Sequence, residues 1–236
     1  MFLLNAKEES NMKRNMEFEF SAGLRWTHWL RAVAMVVLTV TGFYITYGFI
    51  TPEASDEPIL FLNAKFRMWH EIFGFLLIAI TIFKTYLFFF DRISSKERIS
   101  LLDCLSPTIW IKQIKYYLFM GEHPHMRGVY NPLQFAAYVG LYVMIFVLCL
   151  TGLILYVHCY QGGGIGLFLY DYMRPLEAMM GGLAMVRQIH HIFMWGILIF
   201  LPIHMYLAMF NSIMGKEGAM DSIISGYKFL KNDHKH

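Results

Sequence analysis

Four stretches of more than twenty predominantly apolar residues, roughly 26–50, 69–90, 133–157 and 189–210, constrain this 236-residue chain more than any other feature. Each is long enough to cross a bilayer as a helix, which takes about 20 apolar residues. In hydrocarbon every backbone polar group must be satisfied by the protein itself, and a helix does this within one segment. The expected fold class is therefore an all-α integral membrane protein, a bundle of four transmembrane helices. Composition agrees, because 16% of residues are charged against about 25% in soluble domains. A net charge of +3, scattered along the chain, speaks against nucleic acid as a partner. Cys104, Cys149 and Cys159 form no CxxC or CxxCH motif. That excludes a disulfide framework, a cysteine-rich zinc site and covalently attached haem.

Lys and Arg set the expected orientation. Of the twenty, fifteen fall in the N-terminal segment with the first turns of span one (Arg31), the loop after the second span or the tail. Lys65, Arg67, Arg174 and Arg187 lie on the other side, and Lys84 is inside span two, where it is expected to snorkel. Both termini are thus expected in the cytoplasm. The first 25 residues are polar and the first span lacks a small-residue cleavage site, so it is expected to stay in the membrane, with Met1, Met12 and Met16 all open as starts. In the cytoplasmic loop, Ser106-Pro107 reads as an N-cap followed by proline at the first helical position. Trp110, Ile111, Ile114, Tyr117 and Leu118 then recur at helical spacing with Lys112 and Lys115 opposite. This predicts an extra helix in that loop, lying in the membrane interface or packed on a partner. The glycine-rich outer segment 161–187 reads as turns.

Five histidines fall within or at the ends of spans: His28, His70, His190, His191 and His204. Ionisable residues at membrane depth are costly and point to function. His190 and His204 are fourteen residues apart. At about 100° per residue they return to within about 40° of one face, about 21 Å apart along the axis. His191 lies off that face. Span one starts inside and span two outside, so His28 matches His204 near the inner surface and His70 matches His190 near the outer one. Two bis-histidine sites stacked across a bilayer predict two b-type haems, for which neutral imidazole is an ordinary axial ligand. Gly74 and Gly196 are candidates for close porphyrin approach, with helix packing as the alternative.

Arg-x-x-His occurs three times, as Arg25 before His28, Arg67 before His70 and Arg187 before His190. An arginine one turn nearer the surface on the ligand's face suits a haem propionate. Interfacial snorkelling is the alternative.

With RWTHW opening span one, RMWHEIFG span two, GVYNPLQ span three, and RQIHHIFMW with Pro202-Ile203-His204 in span four, the chain resembles the b-type cytochrome subunit of membrane-bound nickel–iron hydrogenases. More distantly it resembles the gamma subunit of formate dehydrogenase. The resemblance implies a dihaem cytochrome b domain over residues 26–211, between a polar cytoplasmic segment 1–25 and a cytoplasmic tail 212–236. It also implies the bacterial inner membrane, and partners in an iron–sulfur small subunit and a nickel–iron large subunit. Electrons would pass from the small subunit through an outer haem (His70, His190) and an inner haem (His28, His204) to menaquinone or ubiquinone. The family's quinone pocket falls on Asn131 and Gln134, with His204 and His191 as further candidates. Helix capping by Asn131 is the alternative there. Glu122 and His125 are candidates for proton uptake. The chain itself has no hydrogen-activating site. Rival readings are the cytochrome subunit of a formate dehydrogenase or thiosulfate reductase, a free-standing b561-type cytochrome, and a histidine-containing transporter or channel.

Overall fold

The computed structural model describes residues 16–50, 61–118, 120–121, 127–128, 130–215 and 219–229. In chain order these form β1 (Met16–Phe18), α1 (Ala22–Tyr47), α2 (Leu62–Phe90), α3 (Ser95–Cys104), α4 (Pro107–Tyr117), α5 (Pro132–Cys159), α6 (Gly164–Met179), α7 (Leu183–Gly215), α8 (Ala219–Ser225) and β2 (Tyr227–Phe229). Among the described residues, α1, α2, α5 and residues Leu183–Phe210 of α7 are long and apolar enough to cross a membrane. They cover the four apolar stretches, except that α1 ends at Tyr47, three residues short of the first. Both α2 and α7 begin several residues earlier than the apolar pattern, because a helix propagates beyond its membrane-depth residues.

The described residues form two compact units, one falling within 1–26, 84–139 and 200–236, the other within 27–83 and 140–199. Each long helix contributes to both. In the second unit, Tyr44 of α1 stacks on Phe66 of α2 at 3.8 Å between ring centres, and Phe75 of α2 meets Tyr156 of α5 edge-on at 5.0 Å. Phe43 of α1 packs on Trp195 of α7, and Met144 of α5 sits against Gly196 of α7. Ala34, Ile145, Ile154, Val157 and Val186 form its buried apolar centre.

The segment read as turns holds the sixteen-residue helix α6. Gly164 (φ 58°), Gly181 (φ 92°) and Gly182 (φ 87°) supply positive φ at its two ends. The glycines thus do mark turns, but they flank a helix, and Pro175 inside it hid the periodicity.

In the first unit, Ser106 has the extended backbone of an N-cap (φ −100°, ψ 107°) with Pro107 opening α4, as expected. Its hydroxyl bonds Thr108 Oγ1 rather than a backbone amide. Lys84 does not snorkel. It is buried, with Nζ 2.9 and 3.2 Å from the carboxylate oxygens of Glu97 and 5.7 Å from the centre of the Tyr138 ring. The chain turns back after α2 and brings Glu97 onto the lysine, which a count of apolar residues does not register. Glu97, Ser100 and Asp103 recur every three residues on α3, and all three are buried. Glu97 accepts from Tyr130 OH (3.3 Å), Ser100 Oγ from Tyr130 N (3.0 Å), and Asp103 from the amides of Arg127 (2.9 Å) and Gly128 (3.0 Å). This polar face holds the segment that leads into α5. The N-terminal segment and the tail share a two-stranded antiparallel ribbon, Met16 opposite Phe229 and Phe18 opposite Tyr227, which no sequence pattern announced.

Candidate functional site

Thr41 on α1 and Thr151 on α5 occupy equivalent positions in two helices. Each hydroxyl donates to the carbonyl four residues earlier, Val37 O and Val147 O, both at 2.7 Å. With its hydrogen used there, each oxygen is left to accept. Thr41 Oγ1 lies 2.9 Å from His70 Nδ1, and Thr151 Oγ1 lies 2.8 Å from His190 Nδ1. Both imidazoles are thereby assigned the Nδ1–H tautomer, which leaves the Nε2 lone pair for a ligand. Glycine follows each threonine. A Cβ at Gly42 would lie 3.2 Å from His70 Cε1, and one at Gly152 3.7 Å from His190 Cε1, so the rings lie close against helix backbone.

His70 on α2 and His190 on α7 line a cavity of about 550 Å³ with their ring centres 6.4 Å apart and planes 60° apart. Two imidazoles bound through nitrogen to opposite sides of one metal, each at about 2.0–2.1 Å, have ring centres roughly 6.3 Å apart. The separation is that of a pair sharing one metal. Arg67, Arg187, Glu71, His158, His191 and Gly74 also line this cavity. Outside the spans, Tyr160 has its phenol pushed up by burial and by its hydrogen bond with Glu71, so it stays a neutral donor at physiological pH.

Residues 19–226 match the family of prokaryotic cytochrome b561. The chain belongs to that family. It is 26% identical over 97% of its length to a probable Ni/Fe-hydrogenase B-type cytochrome subunit of Rhizobium leguminosarum bv. viciae, of which 95% is covered. A subunit of the same name in Cupriavidus necator is 27% identical over 91% of this chain and 88% of its own length. The Ni/Fe-hydrogenase 1 counterpart in Escherichia coli K12 is 28% identical over 91% of both chains.

A cytochrome b561 carries haem b, and the residues of this family member fit it. The cavity falls within the 300–1,000 Å³ of ordinary cofactor sites. It offers two imidazoles held through Nδ1, with ring centres 6.4 Å apart, and a mostly apolar wall with two arginines on its lining. A Cβ at Gly74 would meet no protein atom within 4 Å, so this position opens onto free space, whereas one at Gly196 would lie 2.9 Å from Met144 Sδ. The two glycines therefore divide between cavity wall and helix packing.

The remaining sequence candidates of this b561-family protein distribute as follows. His28 belongs to the second unit, with Trp29 edge-on to its ring, and His204 to the first, stacked on Phe200. Arg67 also donates through Nε to Asn63 Oδ1, and Arg25 donates to Ile224 O, the last turn of α8. Asn131 and Gln134 form a reciprocal capping box at the start of α5. Asn131 Oδ1 accepts from Gln134 N (2.8 Å) and Gln134 Oε1 accepts from Asn131 N (3.2 Å). Asn131 Nδ2 donates to Tyr117 OH, and the Tyr117 ring packs on Phe210 of α7. His191 bonds Thr46 in the second unit. Glu122 and His125 lie outside the described residues. Sequence reasoning missed Thr41, Thr151, Gly42 and Gly152, whose trace was a Thr-Gly pair in spans one and three. It also missed Gln113 on α4, buried to 1% exposure with no partner for either amide atom among the described residues.

Proposed function

We propose that this chain is the dihaem membrane anchor of a respiratory uptake nickel–iron hydrogenase, in the inner membrane with both termini cytoplasmic. The observation that carries the reading is the His70–His190 pair, 6.4 Å apart with both Nδ1 atoms held by threonine. The names of the relatives support the choice of partner.

Haem b bound between histidines at two depths supplies one-electron carriers. His70 and His190 hold the outer one, with Arg67 and Arg187 on the cavity wall to pair its propionates. By sequence spacing alone, His28 and His204 would hold the inner one, with Arg25 one turn before His28. Electrons arrive from the iron–sulfur small subunit, the nickel–iron large subunit having split hydrogen. Quinone binds near Asn131, Gln134 and His204, where Gln113 carries an unspent donor and acceptor, and His191 is a further candidate contact. Glu122 and His125 draw protons from the cytoplasm. Negative charge moving inward then builds membrane potential, worth about 2.3 kcal/mol per charge per 100 mV.

A reduced-minus-oxidised spectrum of the purified chain, with a pyridine haemochrome count, tests this. Two b haems per chain are expected. One haem overturns the inner pairing, and none, in folded protein made with haem available, overturns the cytochrome reading for a transporter. Copurification of hydrogenase subunits from the native membrane is expected. A formate dehydrogenase or thiosulfate reductase in their place overturns the choice of partner.

A further inference from the structure

Among the described residues, two of the four histidines lining the cavity, His70 and His190, are held by the same device from two different helices. Thr41 on α1 and Thr151 on α5 each lock their hydroxyl hydrogen to a carbonyl four residues back, at 2.7 Å. Each is buried, at 5% and 0% exposure, so water does not compete for the oxygen. The oxygen can therefore only accept, and the imidazole proton at Nδ1 is its donor, at 2.9 Å for His70, whose ring also bonds the Leu38 backbone, and 2.8 Å for His190. The glycine after each threonine lets the ring edge approach to a distance where a methyl group at Gly42 would press on it. An alanine–glycine pair would accommodate the rings equally well. The hydroxyl is the added element, and it occurs on both sides.

We infer that Thr41 and Thr151 are positioning residues that set the rotation of the two imidazoles and lower the reduction potential of the haem they hold. This rests on His70 and His190 being the ligands of one haem. A Nδ1–H that donates to a hydroxyl oxygen gives Nε2 more electron density, and a stronger donor favours ferric over ferrous iron. The same bonds fix each ring about its Cβ–Cγ axis, and the planes stand 60° apart. Rings so far from parallel give low-spin ferric iron a large-gmax resonance, where parallel rings give a rhombic signal.

The test uses the full chain, purified with its haem, as Thr41→Val and Thr151→Val, each beside the corresponding serine variant. Haem content is expected to stay at the unmutated level. The midpoint potential of one of the haem transitions is expected to rise in each valine variant, with a change in gmax, and serine is expected to restore both. Valine variants that bind haem with unmutated midpoint and resonance overturn the inference and leave the hydroxyls as helix back-bonds. Where a valine variant does not accumulate, the unmutated protein decides. A large-gmax signal absent from His70→Ala supports the held, crossed rings, and a rhombic signal from that haem overturns them. Retention of every haem in His70→Ala is a different outcome, which overturns the ligand assignment itself.

Discussion

Around the cavity of the second unit, polar groups are satisfied on one side and open on the other. On the Glu97–Ser100–Asp103 face of α3 in the first unit the chain supplies partners for all three side chains. Thr41 and Thr151 use the Nδ1 of two histidines and leave both Nε2 atoms for a ligand, whereas Glu97, Ser100 and Asp103 meet a lysine, a tyrosine and three backbone amides. The difference separates a site from a brace. A polar group buried in apolar surroundings without a partner costs several kcal/mol, which is why the α3 face is closed, whereas the two rings 6.4 Å apart line a cavity with only Nδ1 held by threonine. A closed network next to it in sequence is structural. Gln113 stands outside that closed network, because among the described residues its buried amide has no partner.

The largest expected effect comes from deleting an open valence. His70→Ala and His190→Ala should each abolish the same haem, halving the haemochrome count and leaving the other haem's spectrum intact. Loss of two different haems would break the pairing. Next comes the brace. Breaking one partner of a buried ion pair costs about 3–5 kcal/mol, while replacing both by apolar residues is often near neutral. Lys84→Met or Glu97→Leu alone should therefore lower thermal stability in detergent far more than the double variant, at unchanged haem content. Equal damage from all three would show that the pair holds more than its own charge.

A smaller effect distinguishes the two glycines. Gly74→Val directs its side chain into the open cavity and should reduce haem occupancy, whereas Gly196→Ala meets only the flexible end of Met144 and should retain it. Equal occupancy in both variants would move haem away from the α2 wall. The smallest changes concern the first unit. Asn131→Ala removes an N-cap worth about 1 kcal/mol and should also slow quinone reduction, while Asn131→Asp keeps the Oδ1 acceptor and with it most of the cap. Gln113→Leu should hold or raise stability and still slow quinone reduction. Unchanged turnover in Gln113→Leu would leave its amide as an unexplained core group.

Helices and ligand candidates were legible because their signals are local. Apolar length announces a span regardless of its neighbours, and a 3.6-residue period places His190 and His204 on one face without knowledge of the partner helix. An N-cap at Asn131 was legible, as one of two alternatives, for the same reason, since Asn131 and Pro132 adjoin; the return bond from Gln134 came only with the structure. Lys84 was misjudged because its partner is thirteen residues away in a different helix, and the only local information was its depth. α6 was missed because its glycines and Pro175 outweighed a short apolar pattern. The ribbon of β1 and β2 joins three-residue strands at opposite ends of the chain, too short for alternation to register.

The amino-acid sequence by itself determined four membrane helices, the histidines at their ends and the arginines one turn away. These follow from hydropathy and helical period, which act within a single segment. Which oxygen holds Nδ1 of each histidine, which glycine opens onto the cavity and which charge neutralises Lys84 were decided only by tertiary structure. Each depends on two helices meeting in one register, and hydrogen bonds act over about 3 Å, a scale that a one-dimensional pattern does not carry.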